Sequence, residues 1–271
     1  MPVVEIRELL EAGVHFGHPS SRWHPRMEPY IFARRNGVHI VDVRKTAAAM
    51  VEAHHFLKKV VSEGGAVLYI GTKRQARDAI RREANRAGMP FVAERWLGGT
   101  LTNLDTIRQQ IKRLEELERI EQSGEIERFS KKVLSSFRRE KRKVVRNLEG
   151  IRSMTSLPQA LFIVDPKVED IAVKEARGLR IPIVAMLDTD CNPEPVNIPI
   201  PANDDAMRSI DLIVTRLTDA VIQGREARGT SGLSVKSGFS SSDIDKLASA
   251  PTENNAGQTT AEAQDAVEAQ R

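Results

Sequence analysis

Apolar residues along this chain follow two rhythms. Short unbroken runs at residues 38–43, 66–70, 91–93, 158–165 and 181–187 read as buried strands, with a further edge strand over 196–201. Between them, apolar positions recur in steps of three and four, the spacing of one helix face. Ile6, Leu9 and Leu10 predict a short first helix closed near Gly13, and residues 46–62 a longer one ended by Gly64-Gly65. Thr72 and Gln75 have capping-box spacing, which predicts a helix starting there. Asp165-Pro166 opens a helix over 167–179. Asn203 caps the last helix, with Asp204 and Asp205 in its first turn and an end near Gln223. Strands separated by helices imply right-handed crossovers and a parallel sheet covered on both faces.

The stretch over residues 95–152 breaks this alternation. It opens with Arg95-Trp96-Leu97-Gly98-Gly99-Thr100-Leu101-Thr102-Asn103 and then holds helical periodicity, high charge and no proline. Leu104, Ile107, Ile111, Leu114, Leu117 and Ile120 line a first arm, with Thr102 or Asn103 as its cap. Gln122-Ser123-Gly124 supplies a break, with Gly124 where a left-handed residue ends a helix. Phe129, Val133, Phe137, Val144 and Leu148 line a second arm. Two amphipathic helices joined by a short loop fold back on each other most simply. Each stripe is wide enough for the other arm and little else, so the hairpin is expected to project. The expected organisation is a first part of an α/β body over 1–102, an inserted basic coiled-coil hairpin over 103–150, a second part of the body over 151–225, and a disordered tail over 226–271, where Ser, Thr, Ala, Gly and acids replace apolar periodicity.

Charge adds a function class to that outline. The chain of 271 residues has 41 Lys and Arg against 37 Asp and Glu, a net of +4. From Arg225 onward there are five basic and seven acidic residues, leaving 36 and 30 in residues 1–224. The second arm concentrates the excess. Residues 128–147 hold nine basic residues and one acid, Glu140. Unopposed positive charge repels itself unless a polyanion is near, so the arm points to nucleic acid. A membrane surface is disfavoured because the apolar stripe is needed by the partner helix. The single cysteine, Cys191, allows no intramolecular disulfide and no Cys-based zinc cluster, which fits a reducing cytoplasm. No apolar run approaches the length of a bilayer span, and the N-terminus lacks the regions of a signal peptide.

The candidate RNA contacts are Arg22, Arg26, Arg34, Arg35, Lys73, Arg74, Arg95, Lys112, Arg113, Lys131, Lys132, Arg138, Arg139, Lys141 and Arg142. Arg22 and Arg26 lie in a proline-punctuated loop with Trp23. Trp23 and Trp96 each sit beside an arginine, so each is either a base-stacking surface or a packed core residue. Lys73 and Arg74 follow a strand and Gly71 at a helix start, a plausible anion site. The loop matches neither the Walker A pattern nor the dinucleotide fingerprint, so a free nucleotide is unsupported. His15, His18 and His24 match no zinc signature and are expected to be hydrogen-bonded structural residues. Asp165, Asp188, Asp190, Asp204 and Asp205 all follow strand ends, where an α/β sheet binds ligands. Helix caps explain several of them more simply than a metal does. No nucleophile–base pair is recognisable, so no enzyme, cofactor, metal or small-molecule substrate is expected.

Several segments resemble the second-protein family of the bacterial small ribosomal subunit. They are Gly13-Val-His-Phe-Gly-His18, Trp23-His-Pro25 with Tyr30-Ile-Phe32, Gly71-Thr-Lys-Arg-Gln75, the Arg95–Asn103 segment, Leu161-Phe-Ile-Val-Asp165 and Ile198-Pro-Ile-Pro-Ala-Asn-Asp-Asp-Ala206. They occur in the family's order and cover about residues 3–225. The resemblance implies a flavodoxin-like three-layer α/β/α body with an inserted helical coiled-coil hairpin. It implies a structural role without catalysis, cytoplasmic and on the ribosome. The implied partners are small-subunit ribosomal RNA at the head–body junction and neighbouring ribosomal proteins, including the large RNA-binding one that the family helps to recruit. Pro19-Ser20-Ser21 stands where Gln-Thr-Arg is usual, which removes one arginine, and His24 stands where Asn is usual.

Overall fold

The computed structural model describes residues 4–123 and 131–230. The chain starts with α1 (Ile6–Glu11), closed by Gly13 at a φ of 75°. Strands β1 (Phe16–Pro19), β2 (Ile31–Arg35) and β3 (Val38–Val41) then form an antiparallel sheet in the order β1-β3-β2. Asn36 and Gly37, at φ values of 50° and 77°, make the two-residue turn between β2 and β3. The Val38 run is therefore not the first strand of the parallel sheet, as its apolar pattern predicts. Its partners are two strands that flank the proline-rich loop, of which Pro25–Tyr30 is 3-10 helix. An apolar run of this length does not encode which sheet it joins.

The remaining elements alternate. They are α2 (Val43–Ser62), β4 (Val67–Ile70), α3 (Arg77–Ala87), β5 (Phe91–Val92), α4 (Leu104–Gln122), α5 (Lys131–Leu148), β6 (Ala160–Val164), α6 (Asp170–Gly178), β7 (Ile183–Leu187), β8 (Ile198–Pro201) and α7 (Met207–Thr230). The five later strands form one parallel sheet in the order β5-β4-β6-β7-β8. Pro199 and Pro201 sit on its edge strand β8, where a missing N–H breaks no ladder on the open side.

Side chains alternate across a strand, so the sheet has two apolar faces. On one face Leu68, Ile70, Leu161, Ile163, Ile183 and Leu187 pack in one core with Val173 and Ala176 of α6, Ile107 and Ile111 of α4, and Leu148 of α5. On the other, the Tyr69 hydroxyl lies 3.3 Å from Thr218 of α7, and its ring stands edge-on to Phe162. Helices α2 and α3 both pack on α7. The result is a parallel sheet flanked by helices on both faces, compatible with a flavodoxin-like body.

Several helix starts differ from the sequence expectation, each because a side chain has another partner. Thr72 gives its N–H (2.8 Å) and its hydroxyl (2.6 Å) to Glu169, so no capping box forms and α3 begins only at Arg77. Asp165 takes a φ of 61° and accepts the Lys167 and Val168 N–H groups in a turn before α6. Asn203 accepts the Asp205 and Ala206 N–H groups, which places Asp204 and Asp205 in the turn ahead of α7 rather than in its first turn. Helix α7 continues past Gln223 to Thr230. Asn103 caps α4 as expected, accepting from Thr106. Gly124, Phe129 and the tail from 231 lie outside the described residues.

Candidate nucleic-acid interface

Helices α4 and α5 pack on each other. Leu114 and Leu117 of α4 are buried, and Arg113 meets Glu140 of α5 at 3.5 Å while Lys141 pairs with Glu121. The α4 stripe is wider than its partner needs. Its first turns, at Ile107 and Ile111, belong to the sheet core, as does Leu148 at the end of α5. Arg152 pins the base, donating to Glu118 at 2.8 Å.

On α5 Leu148 is buried and Phe137 and Val144 are half-buried, whereas Val133 of the expected stripe is exposed, and the helix presents its cations outward. Lys131, Lys132, Arg138, Arg139, Arg142, Lys143 and Arg146 are exposed. Among the described residues none of the seven has a carboxylate within 4 Å. Two of the acids near α5, Glu140 and Glu121, are taken by Arg113 and Lys141. Seven cations on one helix without counter-charge make a strongly positive face, the electrostatic complement of a polyanion.

The Arg95–Asn103 segment has a different reason for its composition. Trp96 is buried and donates its indole N–H to Glu175 of α6 at 3.1 Å. The same carboxylate accepts the N–H groups of Gly99 (2.8 Å), Leu101 (3.0 Å) and Thr102 (3.1 Å), and the Thr102 hydroxyl. Burial alone would raise the Glu175 pKa. The donors, Gly99 first, outweigh it and hold the group below the usual carboxylate range. The loop wraps one buried anion, and Gly99 at a φ of 89° lets the backbone turn toward it. Trp96 is thus a packed core residue. Trp23 is partly exposed and tilts over His39 at 5.3 Å, next to Arg34, the cross-strand partner of His39.

At the carboxyl edge of the parallel sheet, Lys73 is turned inward. Its ammonium lies 2.6 Å from Asp204, 2.6 Å from Asp205 and 3.4 Å from Asp165. Burial opposes its charge, but the Asp204 and Asp205 hydrogen bonds prevail and raise its pKa. Burial, then the Asp165 and Asp188 charges, push Asp204 up to about 8. The His18 ring sits 2.9 Å from Asp188, and that hydrogen bond outweighs burial to raise the imidazole pKa to about 9. His18, Asp188 and Asp204 bring potential ligand atoms within 4.8 Å, as do Asp165, Cys191 and Asp204. Burial keeps the Cys191 thiol protonated, and Lys73 already occupies the space beside the carboxylates of the second group.

A sequence model of the ribosomal protein S2 family matches residues 9–224. The chain belongs to the ribosomal protein S2 family. S2 proteins are structural, non-enzymatic components of the small ribosomal subunit, and no helix among the described residues of this S2-family chain is long and apolar enough to cross a membrane.

The S2-family fold separates the candidate contacts by availability. Arg22, Arg34, Arg35, Arg74, Arg95 and Lys112 are exposed, with no carboxylate within 4 Å among the described residues. Arg26 pairs with Glu194, and Arg113 with Glu116 at 3.1 Å as well as Glu140. Lys73 is the one candidate enclosed by acids. Its place after a strand and a glycine suggests an anion site, but the acids that enclose it come from the far end of the chain. His18 pairs with Asp188 and His24 accepts the Arg26 N–H at 3.2 Å, as expected, whereas the buried Nδ1 of His15 has no hydrogen-bond partner among the described residues. Glu175 was not legible as a site residue, because each of its partners lies more than 70 positions away.

Proposed function

We propose that this chain anchors small-subunit ribosomal RNA through the basic face of α5 and helps seat neighbouring proteins, in the cytoplasm on the ribosome. The observation that carries the reading is the row of seven uncompensated cations on α5. Residues 103–150 act as an inserted coiled-coil hairpin. Its apolar stripes join the two helices and fix their base in the body, which frees the opposite face for phosphates. Arg138 and Arg142 lead the contact set, with Arg139, Lys131, Lys132 and Lys112 as weaker, more exposed contacts. Arg22, Arg34, Arg35, Arg74 and Arg95 supply contacts from the body, where side chains without an internal partner can reach phosphate oxygens. Arg26, Arg113 and Lys141 contribute field rather than direct contacts, since each has an acid partner. Lys73 is left out of the set, because three carboxylates hold it. A neighbouring protein, large and itself RNA-binding, completes the partner set.

The test is sedimentation of the endogenous protein through sucrose gradients at high and low Mg²⁺. Co-migration with the small subunit after the subunits separate is the expected outcome. A protein that stays at the top of both gradients would overturn the reading.

A further inference from the structure

A cleft of about 850 Å³ lies between α5 and α3, lined by Arg138, Lys141, Arg142 and Arg146 on one wall and Arg81 on the other. Two acids border it, Glu121 and Glu149, and Glu121 is already paired with Lys141. Arg138, Arg142 and Arg146 recur every fourth residue, so they form one stripe along the helix. Like charges at that spacing repel across each turn, and among the described residues no carboxylate lies within 4 Å of any of the three, Glu149 included. Arg81 belongs to the body. One end of its guanidinium holds Glu94 at 3.2 Å, while its Nε is buried without a hydrogen-bond partner. Cations from two separate elements thus converge on one space.

We propose that this cleft takes the backbone of a single RNA strand, with successive phosphates on Arg138, Arg142 and Arg146 and with Arg81 closing from the opposite wall. The claim rests on the RNA-binding reading above and makes it specific. Positions four residues apart rise about 6 Å along a helix, close to the separation of neighbouring phosphates in one strand. A flat basic face would bind a helix by diffuse charge. A two-walled cleft whose arginines match the phosphate repeat binds one strand in register, and each guanidinium can make a paired contact with phosphate oxygens.

The experiment compares two triple variants of the full chain rebinding to small subunits stripped of this protein, across a series of KCl concentrations at fixed Mg²⁺. One variant carries Arg138→Gln, Arg142→Gln and Arg146→Gln, inside the cleft. The other carries Lys132→Gln, Arg139→Gln and Lys143→Gln, the same charge removed from exposed positions outside it. Each lost phosphate contact lowers the slope of log affinity against log salt by about 0.7 for a single strand. The cleft variant should therefore lose a slope of about 2, and the outer variant less than half of that. Equal losses would overturn the cleft and leave diffuse RNA binding standing. No loss in either would also overturn it. Failure of the unaltered chain to rebind would instead strike the RNA reading itself. Arginine labelling with phenylglyoxal, read by mass spectrometry on the unaltered chain, avoids dependence on variant folding. Arg81, Arg138, Arg142 and Arg146 should be protected in the subunit-bound protein, and equal labelling free and bound would overturn the proposal.

Discussion

Glu175 shows how one residue can set the shape of a segment far from it in sequence. Its carboxylate accepts from Trp96, Gly99, Leu101 and Thr102, so it closes a loop that has few backbone bonds of its own. Replacing it with Ala would leave several buried donors unpaired, at about 1–3 kcal/mol for each one that finds no water. Glu175→Ala should thus lose about 3 kcal/mol or more in chemical denaturation, and Glu175→Gln less, since one oxygen remains. An unchanged midpoint for the Ala variant would refute the anchoring role. The pH dependence has a definite sign. The folded pKa lies below the unfolded 4.5, so the contribution is full above that value and is lost as pH falls through the folded pKa. His18 has the opposite sign. Its folded pKa of about 9 exceeds the unfolded 6.5 because of Asp188. Its contribution is complete below 6.5 and disappears as pH rises through about 9. Denaturation midpoints between pH 6 and pH 9.5 should fall in the unaltered chain, and the decline should flatten in His18→Gln. Equal declines would show that His18 does not carry the effect.

Among the elements, the sequence made the parallel strands readable and hid the assembly of the rest. Residues 66–70 and 181–187 are continuous apolar runs, as strands covered on both faces must be, and they became β4 and β7. The strands β1 and β2 escaped because their residues are mostly exposed or half-exposed and flank prolines, so no alternation marks them. Helix α3 starts later than the Thr72–Gln75 spacing predicts, because that local rule does not see Glu169, which takes Thr72. On the interface side, the one-sided charge of α5 was visible in the sequence. The second wall of the cleft was not, because nothing near Arg81 in sequence points to α5. The joint between α5 and the body is equally hidden. A Cβ on Gly150 would lie 2.2 Å from the Phe91 carbonyl oxygen, so the chain after α5 passes directly against β5. Gly150→Ala must displace one of them and should cost about 1–3 kcal/mol, the usual range for overpacking. Because that shift moves the base of α5, rebinding to stripped subunits should weaken at temperatures where the body is still folded. Wild-type stability and rebinding together would mean that the joint is softer than this packing implies.

At the scale of the whole molecule, charge is distributed by role. The body pairs many of its own cations internally, as between Arg82 and Asp211 or Arg216 and Glu8. Helix α5 leaves seven of its eight cations unpaired among the described residues, and the segment from 231 onward carries three basic and six acidic residues. Deleting that segment would shift the net charge from +4 to +7. Two models of RNA binding then diverge. If affinity follows the long-range field of the molecule, the deletion should tighten binding strongly at low salt and steepen its salt dependence. If it follows discrete phosphate contacts, the slope counts the contacts and not the net charge, so it should stay the same. Association should quicken modestly, because steering responds to the summed field. The placement of uncompensated arginines on one helix favours the second model. A chain ending at Thr230 should therefore rebind stripped subunits with a salt slope within about 0.5 of the full chain, a tolerance smaller than one phosphate contact. A slope steeper by one contact or more would show that the acidic segment competes with RNA for the α5 cations.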